Sequence, residues 1–300
     1  MKSIFNPFDP GLKDLCAPPS DRYDAGRAQR DSVPLQAHAE LVADSDRTDP
    51  LAILAQQDGS RLPELIPLRY GRMSATPFTF LRGGAAVMAS DLAAGSSSEL
   101  SVELCGDAHL GNFRWYRAPD RELVFDLNDF DETLPGPFEW DVKRLAASVM
   151  VSARNNDLSA REASTATHSA MRCYREFIAE TSELNPLDLY YYRFDSESAL
   201  DDIEDHGKKH RKRKEEILKK AARKNSLQAL NKLTEVIDGR RVIGPDPPLI
   251  VRVDEELASA ESEELVSFFE SYRQSLPLER RLLLDRFSPV DVARKVVGVG

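Results

Sequence analysis

Cysteine is scarce. Cys16, Cys105 and Cys173 are the only three in 300 residues, far apart and odd in number, which fits neither a disulfide framework nor a four-ligand zinc site. A reducing cytoplasm is the expected setting. No run of eighteen apolar residues offers a membrane span, and Asp9, Lys13 and Asp14 stand where a signal peptide needs an apolar stretch. The chain therefore reads as soluble, cytoplasmic and not exported. Positive charge is in deficit, with 40 Lys and Arg against 50 Asp and Glu, so at a net charge of -10 no general affinity for nucleic acid or anionic membrane is expected. Histidine is sparse too. His38, His109, His168, His206 and His210 form no Asn-His or His-x-His element, which leaves a binuclear metallophosphoesterase short of ligands and makes it the lesser alternative for the Gly-Asp-x-His sequence at residue 106.

What the chain does have is a dense acidic stretch from Cys105 to Asp141. It reads Cys-Gly-Asp-Ala-His-Leu-Gly-Asn-Phe, then a strand-like Glu122-Leu-Val-Phe, then Asp126-Leu-Asn-Asp-Phe-Asp-Glu, then Trp140-Asp141 opening a helix. An Asp followed five residues later by an Asn is the spacing of a phosphotransferase catalytic loop, and Asp107 and Asn112 have it. In such a loop the Asp accepts the hydroxyl proton of the acceptor, and the Asn reaches a magnesium ion. A second Asp must then bridge the metal to the nucleotide phosphates, because magnesium prefers hard oxygen ligands. Asp129 is placed to supply it. Asp131, two residues on, shares its face if the strand continues, and is a candidate second ligand. Asp126 and Asn128 then point elsewhere and read as structural. His109 is a candidate general base in its own right, or else a residue that hydrogen-bonds backbone and keeps the loop in shape. Gly106 allows the tight turn that points Asp107 into a cleft.

Around this stretch, residues 1–34 carry Pro7, Pro10, Pro18, Pro19 and Pro34 and predict a flexible N-terminal arm. Two short helices are expected between residues 35 and 58, separated at Asp49-Pro50. Leu65 to Met73 reads as extended and basic, and Pro77 to Gly84 leads into a small-residue helix through Ala85, Ala86, Met88, Ala89 and Leu92. Arg69, Arg72 and Arg82 are candidate phosphate clamps, since a guanidinium fork suits phosphate oxygens, with structural pairing to nearby carboxylates as the competing role. Val102–Cys105 and Leu123–Leu127 read as strands and Pro135-Gly136-Pro137 as a turn. A helix from about Trp140 to Arg154 should bury Val142, Leu145, Val149 and Met150, with Trp140 a core aromatic.

A further helix is predicted from Ser159 to Leu184, ended by Asn185-Pro186, and the aromatic patch Leu187–Phe194 is expected to pack between helices. The basic run from Lys208 to Lys224 has no interleaved aromatics for base stacking and reads as a solvated helix face. Residues 226–237 continue helically, turns fall at Asp238-Gly239 and Pro245 to Pro248, and helices are plausible at 254–273 and 277–286. Residues 291–300 read as a strand running into Gly298-x-Gly300, the beginning of a phosphate-cradling loop. This gives an arm (1–34), a catalytic-loop core (35–155), a helical region (156–290) and the start of a glycine-rich nucleotide-binding lobe (291–300).

Gly106-Asp-Ala-His-Leu-Gly-Asn112, with Asp129-Phe-Asp131 and Trp140-Asp141, resembles the aminoglycoside phosphotransferase and choline kinase branch of the protein-kinase-like fold. That resemblance implies an α+β, mainly helical catalytic lobe with a small sheet, and a helix-capping role for Asp141 in bracing the loop. Over most of the chain the sequence is more similar still to the uncharacterised bacterial family DUF2252, through Pro67–Met73, Phe80–Gly83, Cys105–Phe113, Phe125–Arg144 and Val292–Gly300. Two departures stand out. Cys105 occupies the place of a loop-holding His in the kinase-like branch, and no glycine loop with a phosphate-binding Lys precedes Asp107. The DUF2252 resemblance implies that such a lobe follows instead, in permuted order, so that the 300 residues are a C-terminally truncated unit.

The expected function is thus magnesium-dependent transfer of a phosphate from ATP, or another nucleoside triphosphate, to a hydroxyl-bearing acceptor that the sequence does not identify. The alternative is a catalytically inactive kinase-like scaffold that binds nucleotide or a partner.

Overall fold

The computed structural model describes residues 18–40, 47–98, 100–194, 226–252, 266–287 and 291–296, with positions 212, 215, 216 and 219 between them. It is an α+β structure, mainly helical, whose strands form small separate antiparallel pairs. The described chain divides into two compact units. One takes in residues up to Trp115 and from Val124 to Phe194, and the other Tyr116 to Leu123 and the residues from 212 on.

In the first unit the helices begin where side chains can cap them. Helix α1 (Pro19–Ser32) is followed by a single 3-10 turn at Leu35–Ala39, and α2 (Pro50–Asp58) starts on Asp49, whose carboxylate accepts from the Leu51 N–H. Pro50 at the first helical position loses no hydrogen bond, because that N–H has no intrahelical partner. Helices α3 (Ile66–Met73), α4 (Pro77–Gly83) and α5 (Ala85–Ala93) follow closely. Thr76 and Thr79 close a capping box at the start of α4. Leu54, Met73 and Val87, one from each of α2, α3 and α5, form a buried cluster against which Ile53 and Tyr70 pack. Strand β1 (Ser101–Leu104) pairs with β4 (Leu134–Pro137), and β2 (Phe113–Arg117) with β3 (Leu123–Leu127), of which residues 113–115 and 124–127 belong to this unit. Helix α6 (Glu139–Asn155) packs along α7 (Ala160–Thr181), which opens on a Ser159/Glu162 capping box. Helix α8 (Pro186–Tyr191) opens on Asn185.

The second unit contains α9 (Ser226–Leu233), the hairpin β5 (Thr234–Ile237) with β6 (Arg240–Ile243), and β7 (Ile250–Arg252) paired with β8 (Ala293–Lys295). Residues 266–275 are helical, and α10 spans Leu278–Leu284. Asp291 joins two of these pieces, accepting from the Ile243 N–H at 2.7 Å and pairing with Arg252 at 3.2 Å.

Four local expectations are corrected. Residues 19–32 are helical rather than part of an irregular arm, since Pro19 sits at the helix start, where proline is tolerated. Residues 66–73 form a helix, not an extended segment, for the same reason at Pro67. Pro135-Gly136-Pro137 lies in β4, paired with Glu103, Val102 and Ser101, because a two-stranded ribbon has outer edges where a missing N–H is no loss. Residues 234–237 leave the helix for β5, as the β-branched Thr234, Val236 and Ile237 favour once Asp238-Gly239 supplies a turn with φ of 50° and 78°. The Leu187–Phe194 patch splits. Phe194 packs on Trp115 and Phe125, while Tyr190 and Tyr191 stay exposed. The basic run falls outside the described residues apart from Lys212 and Lys219.

Leu54 is fully buried at the centre of the first unit's cluster. Leu54→Ala should cost about 2–5 kcal/mol in urea unfolding. A loss below about 1 kcal/mol would mean that this cluster does not support the fold.

Candidate functional site

The site grows from the tight turn after β1. Gly106 has φ +80°, and a Cβ there would lie 2.1 Å from the Glu132 carbonyl oxygen, so the position takes only glycine. The following loop is held by one face of α6. Asp141, in the first turn of α6, accepts from the Cys105 N–H at 2.7 Å and the Gly106 N–H at 3.1 Å. Arg144, next along that face, donates from Nε to Asp107 Oδ1 at 2.6 Å, and its Nη2 meets the same oxygen. Ser148 accepts from the Leu110 N–H at 2.8 Å and donates to the Leu145 carbonyl. Positions 141, 144 and 148 recur at helical spacing, so successive turns of one helix engage successive residues of the loop.

Arg144 is buried and well satisfied. Its Nη2 also donates to the Leu81 carbonyl at 2.9 Å, and Nη1 points at the Met88 sulfur at 3.7 Å. Despite this cation, burial raises the Asp107 carboxyl above its ordinary range, Arg144 and Arg82 pulling the other way and Asp131 adding to the rise. The second oxygen, Oδ2, lies 3.4 Å from His109 Nε2.

His109 is 2% exposed. Its Nδ1 accepts from the Gly111 N–H at 2.9 Å, which leaves the ring proton on Nε2, facing Asp107. Burial, with Arg82 and Arg144 nearby, lowers its pKa to about 4, so the ring is neutral at physiological pH. Gly111 is also constrained, since a Cβ there would come within 2.9 Å of the imidazole. Asn112 is buried, and its Nδ2 donates to the Asp107 carbonyl at 2.9 Å, leaving the amide oxygen as its uncommitted end.

The return segment comes close to this loop without being a strand there. β3 ends at Leu127, so alternation along a strand does not govern Asp129 and Asp131. The two are nonetheless neighbours. Asp129 is raised by lost hydration, by the Asp131 charge and by a hydrogen bond between the two side chains. Glu132 is raised as well, by burial and then by the charges of Asp107 and Asp131. The backbone is tied to the loop twice, by Cys105 Sγ donating to the Asp129 carbonyl at 3.2 Å and by the Asn128 N–H donating to the Asn112 carbonyl at 3.2 Å. Cys105 is buried, and its thiol is pushed up to about 11, chiefly by burial, so it stays protonated and able to donate.

The three arginines separate. Arg69 is buried, donates to the Gly83 carbonyl at 3.0 Å and lies 3.9 Å from Asp58, an interior position. Arg72 is half-buried in the last turn of α3. Arg82 stands at the loop, its Nε 4.0 Å from where a Gly111 Cβ would be and its charge acting on both Asp107 and His109. Gly298 and Gly300 lie outside the described residues. Sequence reasoning missed Arg144, Ser148, Glu132 and Arg114, the last of which donates to the Gly111 carbonyl at 2.7 Å. The polar spacing Asp141, Arg144, Ser148 was the available signal for two of them. Among the described residues, no three His, Cys, Asp or Glu side chains converge as a metal-holding group, and no helix is long and apolar enough to cross a membrane.

Fold and site together define an α+β, mainly helical protein built around an acidic loop that one helix holds in place. Residues 61–300 match the family described as an uncharacterized protein conserved in bacteria, DUF2252, and the chain belongs to that family. No curated protein and no solved structure matches the chain.

The buried imidazole gives a pH signature. Between its unfolded value of 6.5 and its folded value of about 4, the unfolded chain binds a proton that the folded chain refuses, so stability falls as pH falls. The raised carboxyls work in the opposite direction but are common to wild type and variant. From pH 6.5 to 4, wild type should lose up to about 3 kcal/mol more than His109→Gln in urea unfolding. Equal losses would show that His109 is not held neutral in the fold.

Proposed function

We propose that the protein is a magnesium-dependent phosphotransferase of kinase-like architecture, moving a phosphate from ATP or another nucleoside triphosphate to a hydroxyl acceptor. One observation carries this reading. The Asp107 carboxylate is fixed with one oxygen on Arg144 and the other 3.4 Å from His109 Nε2, while Asn112, five residues on, is bonded to the carbonyl of Asp107 itself. Asp and Asn at the spacing of a catalytic loop are thereby locked into one geometric unit.

In this reading Asp107 Oδ2 meets the acceptor hydroxyl, orients it and takes its proton, which its raised pKa favours. His109 orients that oxygen through Nε2, since its other nitrogen is occupied by the loop backbone. The donor set suits magnesium. Asp129 and Asp131 offer a repelling pair of carboxylates, Asn112 an uncommitted amide oxygen, and magnesium takes its remaining ligands from water and phosphate rather than requiring a full protein cage. A bound ion would spread the charge of the transferring group. Arg82 is the one of the three candidate clamps that stands beside the loop, and a guanidinium there suits a phosphate oxygen. The acceptor is left open.

A second reading has its own support. The double grip of Arg144 on Asp107 also suits a scaffold that binds nucleotide without turning it over, because a paired carboxylate is a poorer proton acceptor than a free one.

Calorimetry with ATP and magnesium on the intact protein separates these readings. The phosphotransferase reading expects magnesium-dependent binding that is lost in Asp129→Asn, and turnover reduced about 10²- to 10⁴-fold in Asp107→Asn. Absence of magnesium-dependent binding by folded wild type sinks both readings. Binding with no turnover, unchanged by Asp107→Asn, leaves the scaffold.

A further inference from the structure

Among the described residues, two arginines beside the loop, Arg82 and Arg114, pair with no carboxylate. Phe78 and Arg82 stand one turn apart on α4, and both reach the loop. The Phe78 ring lies edge-on to the His109 imidazole at 6.1 Å between centroids, and Arg82 Nε is 4.0 Å from where a Gly111 Cβ would be. Arg114 approaches the same glycine from β2, its Nε donating to the Gly111 carbonyl at 2.7 Å. Arg82 buries Nε without a partner, while its two Nη groups, which donate to no described residue, stay open to solvent. Arg114 is exposed, and its Nη groups are equally uncommitted.

The other charges around the loop do not answer these two. Arg144 is spent on Asp107, and His109, facing the second Asp107 oxygen, is neutral. Asp129, Asp131 and Glu132 act on one another and on Asp107, and none of them forms an ion pair with Arg82 or Arg114. Arg82 acts on Asp107 and His109, and Arg114 on His109 and Asp129. Positive charge is thus unmatched at the end of the loop where an acceptor hydroxyl would meet Asp107. Negative charge is unmatched on the return segment, where magnesium and the nucleotide would lie. A phosphate or carboxylate suits the first position, because guanidinium Nη groups form charge-assisted bonds to either. An ammonium group there would face two cations.

We propose that the acceptor is an anionic alcohol, its hydroxyl meeting Asp107 Oδ2 and its phosphate or carboxylate lying against the Nη groups of Arg82 and Arg114. This rests on the phosphotransferase reading and names the acceptor class within it. In the step, the acceptor oxygen bonds to the γ-phosphorus as the bond from that phosphorus to the β–γ bridging oxygen breaks. The electron pair leaves with the nucleoside diphosphate, and the hydroxyl proton passes to Asp107.

Glycerol 3-phosphate, glycerol and 3-aminopropane-1,2-diol share a diol and differ in charge, and calorimetry of each with the intact protein tests the class without nucleotide. The phosphate should bind saturably at one site, at least about tenfold tighter than the neutral or cationic match. Arg82→Gln and Arg114→Gln should each weaken that binding about tenfold. Urea unfolding checks that both variants fold, and exposed Arg114 carries the test if Arg82→Gln does not. With ATP and magnesium present, glycerol 3-phosphate should bind within about threefold of its affinity alone, because the two occupy different positions. Displacement of the probe by ATP would put the arginines on the nucleotide phosphates, overturning the acceptor class and leaving the phosphotransferase reading intact. Equal binding of the three probes, no binding, or binding indifferent to both arginine variants also overturns it. Failure of the phosphotransferase reading shows differently, as no magnesium-dependent ATP binding by a protein that still takes the phosphate probe through Arg82 and Arg114.

Discussion

The pairing of Arg144 with Asp107 is the contact on which the first unit's arrangement turns. Burying two opposite charges carries a desolvation cost of several kcal/mol per ion, and their attraction offsets it only where the remaining hydrogen-bonding capacity is met. Here it is met from three directions. The guanidinium joins α6 to the loop through Asp107, to α4 through the Leu81 carbonyl and to α5 through the Met88 sulfur. Such a pair is weak evidence of net stability, because an apolar replacement can be as stable. It is stronger evidence of specification. Moving the loop leaves a buried charge uncompensated, and moving α4 or α5 takes a contact from the buried guanidinium, so the helices before the loop and the helix after it favour one position for Asp107.

The same burial sets the protonation states. Desolvation acts oppositely on acids and bases, raising Asp107, Asp141 and Glu132 and lowering His109. Nearby arginines oppose the first effect and reinforce the second, so the acids move less than burial alone would move them while the imidazole falls far below neutrality. The loop therefore holds a neutral histidine beside Asp107 at physiological pH. A charged His109 would have made a second buried cation next to Arg82 and Arg144. The neutral ring supplies a directed N–H without that repulsion, which is why its Nδ1 must be the nitrogen that accepts from Gly111.

How much of this could be read in the sequence depends on whether the cause is local. The Gly106 turn was legible because a tight turn is a property of a few adjacent residues, and the helices from Glu139 and Ala160 were legible from their apolar period. Arg144 and Ser148 were not. A helix reading assigns the buried face to Val142, Leu145, Val149 and Met150 and gives polar residues to solvent, whereas α6 buries Glu139, Arg144 and Ser148 alongside Val149, against polar partners that only the packed structure supplies. The prolines misled for a related reason. Pro19 and Pro135 read as breakers and Pro67 lay in a segment read as extended, yet each sits where its missing N–H has no partner to lose, at a helix start or in a two-stranded ribbon. Whether a proline breaks an element depends on its position in that element, and position is not a property of composition.

Cys105 illustrates the remaining step from geometry to chemistry. Under the proposed kinase-like reading its side chain stands where a histidine is expected, which would put the loop's anchoring in doubt if a ring were the only means of holding it. The sulfur has a different partner. A thiol pushed up to about 11 remains a donor across the physiological range, and it reaches the Asp129 carbonyl while its own backbone N–H is held by Asp141. Together with the bond from the Asn128 N–H to the Asn112 carbonyl, it ties the segment bearing Asp129 to both ends of the loop bearing Asp107. For the proposed reaction, in which one carboxylate would orient a hydroxyl and another would hold a metal, the distance between the two segments matters more than the identity of the residue that fixes it. Two backbone carbonyls, each anchored from the opposite segment, fix it here without a histidine.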